Sequence, residues 1–248
     1  MLDIKKIMIG KVEVHLIGAQ HGWPFLGRTL AGLNEDEKFE LNRYLSLNAF
    51  CLPSSIGLLE IAEEGKHKTW ERFIGADPDT LSKSVAVESK DTIKISNDKV
   101  KRMLVKSFSQ LPIKQKAIVA VALPILSGIS VIGFYFPTFR SRMNAGLSKL
   151  AEAQYPKMIG RGDTVFRSFV QARAVQSAIK TLPVKRIFLF QGAAHVPSTQ
   201  RFLKDKAYAR RYVCVLNKLA PRASKILGET TKKVNTRLLS RRTKLTRR

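Results

Sequence analysis

Two short apolar segments, far apart in the chain, end alike: Leu16-Ile17-Gly18-Ala19-Gln20-His21 and Leu189-Phe190-Gln191-Gly192-Ala193-Ala194-His195. Each reads as a β-strand running into glycine, two small or polar residues and a histidine. In open α/β sheets ligands collect in the crevice beyond the carboxyl ends of the strands, so a histidine just past a strand end points to that edge. Glycines 18 and 192 are expected to supply a tight turn and close backbone approach there. Neutral imidazole is a common metal ligand and titrates near neutral pH, so His21 and His195 at one edge suit metal binding or proton transfer.

The flanking patterns extend this to a mixed α/β fold of two strand-helix-strand halves. Val12 to Ile17 predicts a strand, residues 34 to 49 a helix opened by Asn34 with Glu37 three residues on, and Ile56 to Ile61 a buried strand carrying Glu60 at its end. Glu60 is the carboxylate that would complete a site with the two histidines. In the second half, apolar spacing predicts a helix over residues 164–182, closed by Pro183. A strand over 184–190, a helix over 199–208 and a strand from Tyr212 to Leu216 follow. Residues 63–113 are polar, with helical stretches at 68–73 and 98–108 and no motif. His15 and His67 are assigned structural roles, and Cys51 and Cys214 are expected in the core or on strands. Their separation implies neither a disulfide framework nor a zinc knuckle.

Charge sets the partners. Forty-four Lys and Arg against 19 Asp and Glu leave a net charge of +25, which favours polyanions, either an anionic membrane face or nucleic acid. Residues 1–220 are read as one domain, and 221–248, with ten basic residues and one acid beyond Pro221, as a solvated basic tail. No aromatic-interleaved basic motif supports nucleic acid. The N-terminus is too broken for a secretory leader, so no cleaved signal peptide is predicted, and a cytoplasmic or membrane-associated location is expected. Residues 117–136 carry no charge over about twenty positions, the length a hydrocarbon core requires. A single crossing there would put His21 and His195 on opposite sides of a bilayer, so a shared site requires a re-entrant hairpin or a core helix instead. Phosphate-loop, zincin and nucleophile-elbow motifs are absent from the sequence.

The order of Gly18 to His21, Pro53 to Glu60 and Gly192 to His195 followed by a helix resembles the TraB/PrgY/GumN family, related to the TIKI proteases and ChaN-like proteins. The resemblance covers roughly residues 10–62 and 158–217. It implies a mixed α/β fold with His21, Glu60 and His195 around one divalent metal, manganese, cobalt or zinc, and hydrolysis of a peptide or protein substrate. It also implies an Arg-Asp pair opening a helix. At Arg161-Gly162-Asp163-Thr164-Val165-Phe166 the Asp163 and Phe166 positions fit, Gly162 stands where the arginine belongs, and Arg161 lies one residue early. On the hydrolytic reading Glu60, Arg161 and Asp163 are the catalytic residues, Arg161 stabilising the oxyanion formed when metal-activated water attacks a carbonyl. The displaced arginine motivates the alternative, a catalytically inactive, membrane-associated peptide-binding or regulatory protein.

Overall fold

The computed structural model describes residues 3–19, 35–60, 84–92, 113 and 164–246. Five strands form one mixed sheet: β1 (Asp3–Ile9), β2 (Val12–Ala19), β3 (Ser55–Leu59), β4 (Ser84–Ala86) and β5 (Arg186–Gly192), in the order β1-β2-β5-β3-β4. The helices are α1 (Glu35–Leu47), α2 (Thr164–Thr181), α3 (Val196–Lys204), α4 (Lys206–Leu219) and α5 (Pro221–Thr246).

β1 and β2 form an antiparallel hairpin, Ile9 opposite Val12, across a turn in which Gly10 has φ +61°, the left-handed conformation that favours glycine. All the other pairings are parallel. β2, α1 and β3 make the expected crossover unit, but β2 and β3 are not neighbours. β5, delivered by the C-terminal half, lies between them, with Leu189 beside both Leu16 and Leu58. Ile187, Phe188, Leu189 and Phe190 are all fully buried, as a central parallel strand covered on both faces requires.

Alternation along the strands divides the core in two. Val14, Leu16, Ile56, Leu58, Ile187 and Leu189 face α2 to α5. Ile17, Leu59, Phe188 and Phe190 face α1 through Leu41 and Leu45, with Phe50 beside them. His15 is buried on the α1 side, where its Nδ1 meets the Tyr44 hydroxyl at 2.7 Å and its ring stacks on Phe188 with centroids 4.3 Å apart. On the opposite face Phe169, Phe202 and Tyr212 bring α2, α3 and α4 together, with ring centroids 4.8–5.1 Å apart.

The second strand-helix-strand half does not form. Residues 212–216, expected as a strand, lie inside α4, which is capped by Asp205 accepting the Tyr208 backbone N–H at 2.8 Å. Tyr208, Tyr212 and Leu216 recur every four residues and are buried, while Cys214 is exposed, so the run is one face of a helix. Cys51 is exposed as well, and neither cysteine lies in the core or on a strand as expected. β1 and β4 are strands that the sequence pattern did not announce.

The expected basic tail is also different. Residues 221–246 form α5, whose Ala223, Leu227, Val234 and Leu238 belong to the core against α2. Thr230 bonds Ser89 at 2.9 Å and Thr92 at 3.1 Å, and Arg237 donates to the Ala86 carbonyl at 2.8 Å, fastening the helix to β4 and the residues after it. The charge-free run 117–136 and the helical stretches 68–73 and 98–108 lie outside the described residues. No helix among the described residues is long and apolar enough to cross a membrane.

Candidate functional site

The carboxyl ends of β3, β4 and β5 converge on the first half of α2. Glu60 follows β3, Glu88 follows β4 by two residues, and β5 passes through a single 3-10 turn (Ala193–His195) that carries His195. Both glutamate side chains are fully buried. Arg167 of α2 lies between them: Nε donates to the two Glu88 oxygens at 3.1 and 3.2 Å, Nη2 donates to Glu88 Oε2 at 3.0 Å, and Nη2 also donates to Glu60 Oε1. Burial disfavours the guanidinium charge, but Glu88 and Glu60 outweigh it and raise the Arg167 pKa above its ordinary value.

The surrounding groups hold this centre in place. The Gly192 backbone N–H donates to Glu60 Oε2, and Gln171 Nε2 donates to Glu88 Oε1 at 3.0 Å. The His195 ring is held from both sides, its Nδ1 3.0 Å from Ser168 Oγ and its Nε2 3.3 Å from Glu60 Oε1. Ser168 is fully buried, so its hydroxyl orients the imidazole. Gln191, fully buried beside Gly192, accepts from Thr199 Oγ1 at 2.9 Å. Among the described residues, Gln171 Oε1 and Gln191 Nε2 are buried with no hydrogen-bond partner. Arg167 retains 24% side-chain exposure, while both glutamates it holds are fully buried.

Of the residues predicted from sequence, Glu60 and His195 are brought together. Gly18 and Gly192 sit on adjacent parallel strands, Gly18 opposite Gln191 and Ala19 opposite Gly192, so the two similar strand ends lie side by side. Neither glycine makes the expected turn. Gly192 is extended at φ −63° and ψ 139° and serves as a donor to Glu60. Gly18 is inside β2, where an added Cβ would meet Val196 Cγ2 at 2.8 Å and Ala193 Cα at 2.9 Å, so its role is close approach. His21, Arg161 and Asp163, together with His67, lie outside the described residues.

The sequence reading missed Glu88, Arg167, Ser168 and Gln171. Glu88 ends a Val85-Ala86-Val87 run just as Glu60 ends Leu58-Leu59, the same signal on a shorter strand. Arg167 and Gln171 stand four residues apart on a helix whose neighbouring positions are apolar, which places them on one face. Among the described residues the cation at the centre is Arg167.

His21, the third ligand expected beside Glu60 and His195, lies outside the described residues, and among those described Arg167 occupies the space between the two glutamates. A metal bridging Glu60 and Glu88 would have to displace the Arg167 guanidinium, and the two His195 nitrogens face Ser168 and Glu60. Among the described residues no three His, Cys, Asp or Glu side chains form a metal-ligating group. The arrangement can instead hold a fixed cation between buried carboxylates and present it, with amide groups, to a polar ligand. Comparison of the chain with protein-family models, with curated proteins and with solved structures finds no match.

Proposed function

We propose that this chain is a TraB/GumN-like peptide-binding or regulatory protein whose centre of Glu60, Glu88, Arg167 and His195 recognises a ligand without hydrolysing it through a metal. The observation that carries this reading is the Arg167 guanidinium bridging two buried carboxylates. A charge paired and hydrogen-bonded in this way is fixed in orientation. A carbonyl or carboxylate that reaches the guanidinium meets donors set in advance. The peptide class follows from the family resemblance. The net charge of +25 favours attachment at an anionic membrane surface, where each nearby cation contributes about 1 kcal/mol.

Metal content tests the reading directly. Wild type, His21→Ala and His195→Ala are dialysed against manganese, cobalt and zinc and assayed by plasma mass spectrometry. The expected result is no retained metal in any of the three, with wild type capturing members of a peptide library and leaving them intact. One ion per wild-type chain, lost in both variants and accompanied by peptide cleavage, would overturn it in favour of the metal-dependent peptidase.

A further inference from the structure

A groove of about 490 Å³ lies between α2 and α4, near the turn end of the β1 hairpin and therefore at the opposite end of the sheet from Glu60 and Gly192. Its floor is apolar: Ile9 from β1, Phe169 and Ile179 from α2, Leu203 from α3 and Val213 from α4. Its remaining lining is Arg173 and Lys180 from α2, Lys206, Ala209 and Arg210 from α4, and Gln176. The four cations are exposed, none makes an ion pair among the described residues, and no carboxylate lines the groove.

We infer that this groove binds an anionic single-chain lipid, the acyl chain lying along Ile9, Phe169, Leu203 and Val213 and the charged headgroup held by Arg173, Lys180, Lys206 and Arg210. The volume is that of a small-molecule site, and an apolar floor with a few polar groups at its margin is what such sites share. The donor and acceptor inventory selects the ligand. Arginine and lysine donate and do not accept, which leaves Gln176 as the one lining side chain able to accept a hydrogen bond. An extended peptide laid in the groove would bury backbone N–H groups with few side-chain acceptors to receive them, at a cost an acyl chain does not incur. Four exposed cations around an apolar floor attract an anion at the head of the chain. The long stems of Lys and Arg cover apolar surface while their charged ends stay in water, the geometry of a side chain at a lipid interface. This inference goes beyond the peptide-binding reading and does not depend on it, because the groove and the Glu60–Arg167 centre share no residue.

The test is calorimetric titration of the full chain with lysophosphatidylglycerol below its micelle concentration, against lysophosphatidylcholine, inorganic phosphate and an acidic helical peptide. Wild type should bind about one lysophosphatidylglycerol, and about tenfold more tightly than the zwitterionic lipid, as a pair of good charge contacts would give. Both Arg173→Glu with Arg210→Glu, which reverses exposed charge, and Ala209→Trp, which fills the floor, should weaken it about tenfold or more while the far-ultraviolet dichroism and melting temperature hold. Should Ala209→Trp unfold, the exposed double variant still decides the question. Equal affinity in wild type and the double variant, phosphate binding as tightly as the lipid, or preferential binding of the acidic peptide would each overturn the assignment.

Discussion

Glu60 Oε2 accepts the backbone N–H of Gly192, so the carboxylate that ends β3 is fastened to the strand that delivers His195. The parallel register beneath it sets this up. Leu59 lies beside Phe190, which places the next residue of β3 level with the last turn of β5. The bond has no counterpart among side-chain pairs, since any residue at 192 other than proline would supply the donor. What it fixes is distance: Glu60 is held where its other oxygen meets Arg167 and His195.

Removing Arg167 leaves Glu60 and Glu88 buried and facing each other. Arg167→Ala is therefore expected to cost about 3–5 kcal/mol, the range for breaking one side of a buried ion pair. Arg167→Lys keeps the charge but loses the fork that spans both Glu88 oxygens, and should fall between the two. Urea denaturation at pH 7 measures both.

His15 should give the wild type an acid-sensitive core. Burial first, then Lys6 and Arg186, lower its pKa from 6.5 to about 4. The folded state therefore binds fewer protons than the unfolded state between these values. The stability His15 contributes is complete above pH 6.5 and is lost as the pH falls toward 4, by on the order of 3 kcal/mol. Denaturation midpoints measured across that window should fall more steeply for wild type than for His15→Phe, which retains the stack on Phe188 and cannot titrate. Parallel profiles would remove His15 from the account.

Much of the sheet was legible because its strands are short apolar runs with clear ends: β2, β3 and β5 begin within two residues of where the pattern puts them. Glu60 and His195 were legible for the same reason, as polar residues just beyond such runs. Residues 212–216 misled because five apolar or half-apolar positions in a row carry no period of their own. The helical spacing appears only when Tyr208 is included, and the Asp205 cap sits outside the run altogether. Arg167 was hidden by the opposite effect, a single charge among the apolar positions that define the helix. Its partners, Glu60 and Glu88, come from strands more than 70 residues upstream, and no local pattern brings them together.

The glycines should respond in opposite directions. At Gly18 a methyl group would press on the Ala193 backbone as well as on Val196, and backbone cannot swing aside. Gly18→Ala is expected to destabilise by about 1–3 kcal/mol, the cost of overpacking a filled core. Gly228 is inside α5 with nothing within 4 Å of an added Cβ, so Gly228→Ala should stabilise by about 1 kcal/mol through helix propensity. Thermal melts of the two variants, read against wild type, test the contrast.

The final helix separates a tail from a structural element. A solvated basic extension could be removed without effect, whereas α5 supplies one wall of the larger core. Its buried positions 223, 227, 230, 234 and 238 follow intervals of four, three, four and four, the repeat of one helical face, despite the charges between them. Leu238 is fully buried near the C-terminal end, so Leu238→Ala should cost about 2–5 kcal/mol, as core truncations do. Lys232→Ala and Lys233→Ala, exposed on the same helix, should change stability by no more than about 0.5 kcal/mol. Truncation at Ala220 should abolish the cooperative melt, because it removes the whole apolar face together with the Thr230 and Arg237 attachments to Ser89, Thr92 and Ala86. An unchanged melting temperature after that truncation would return residues 221–248 to the status of a tail.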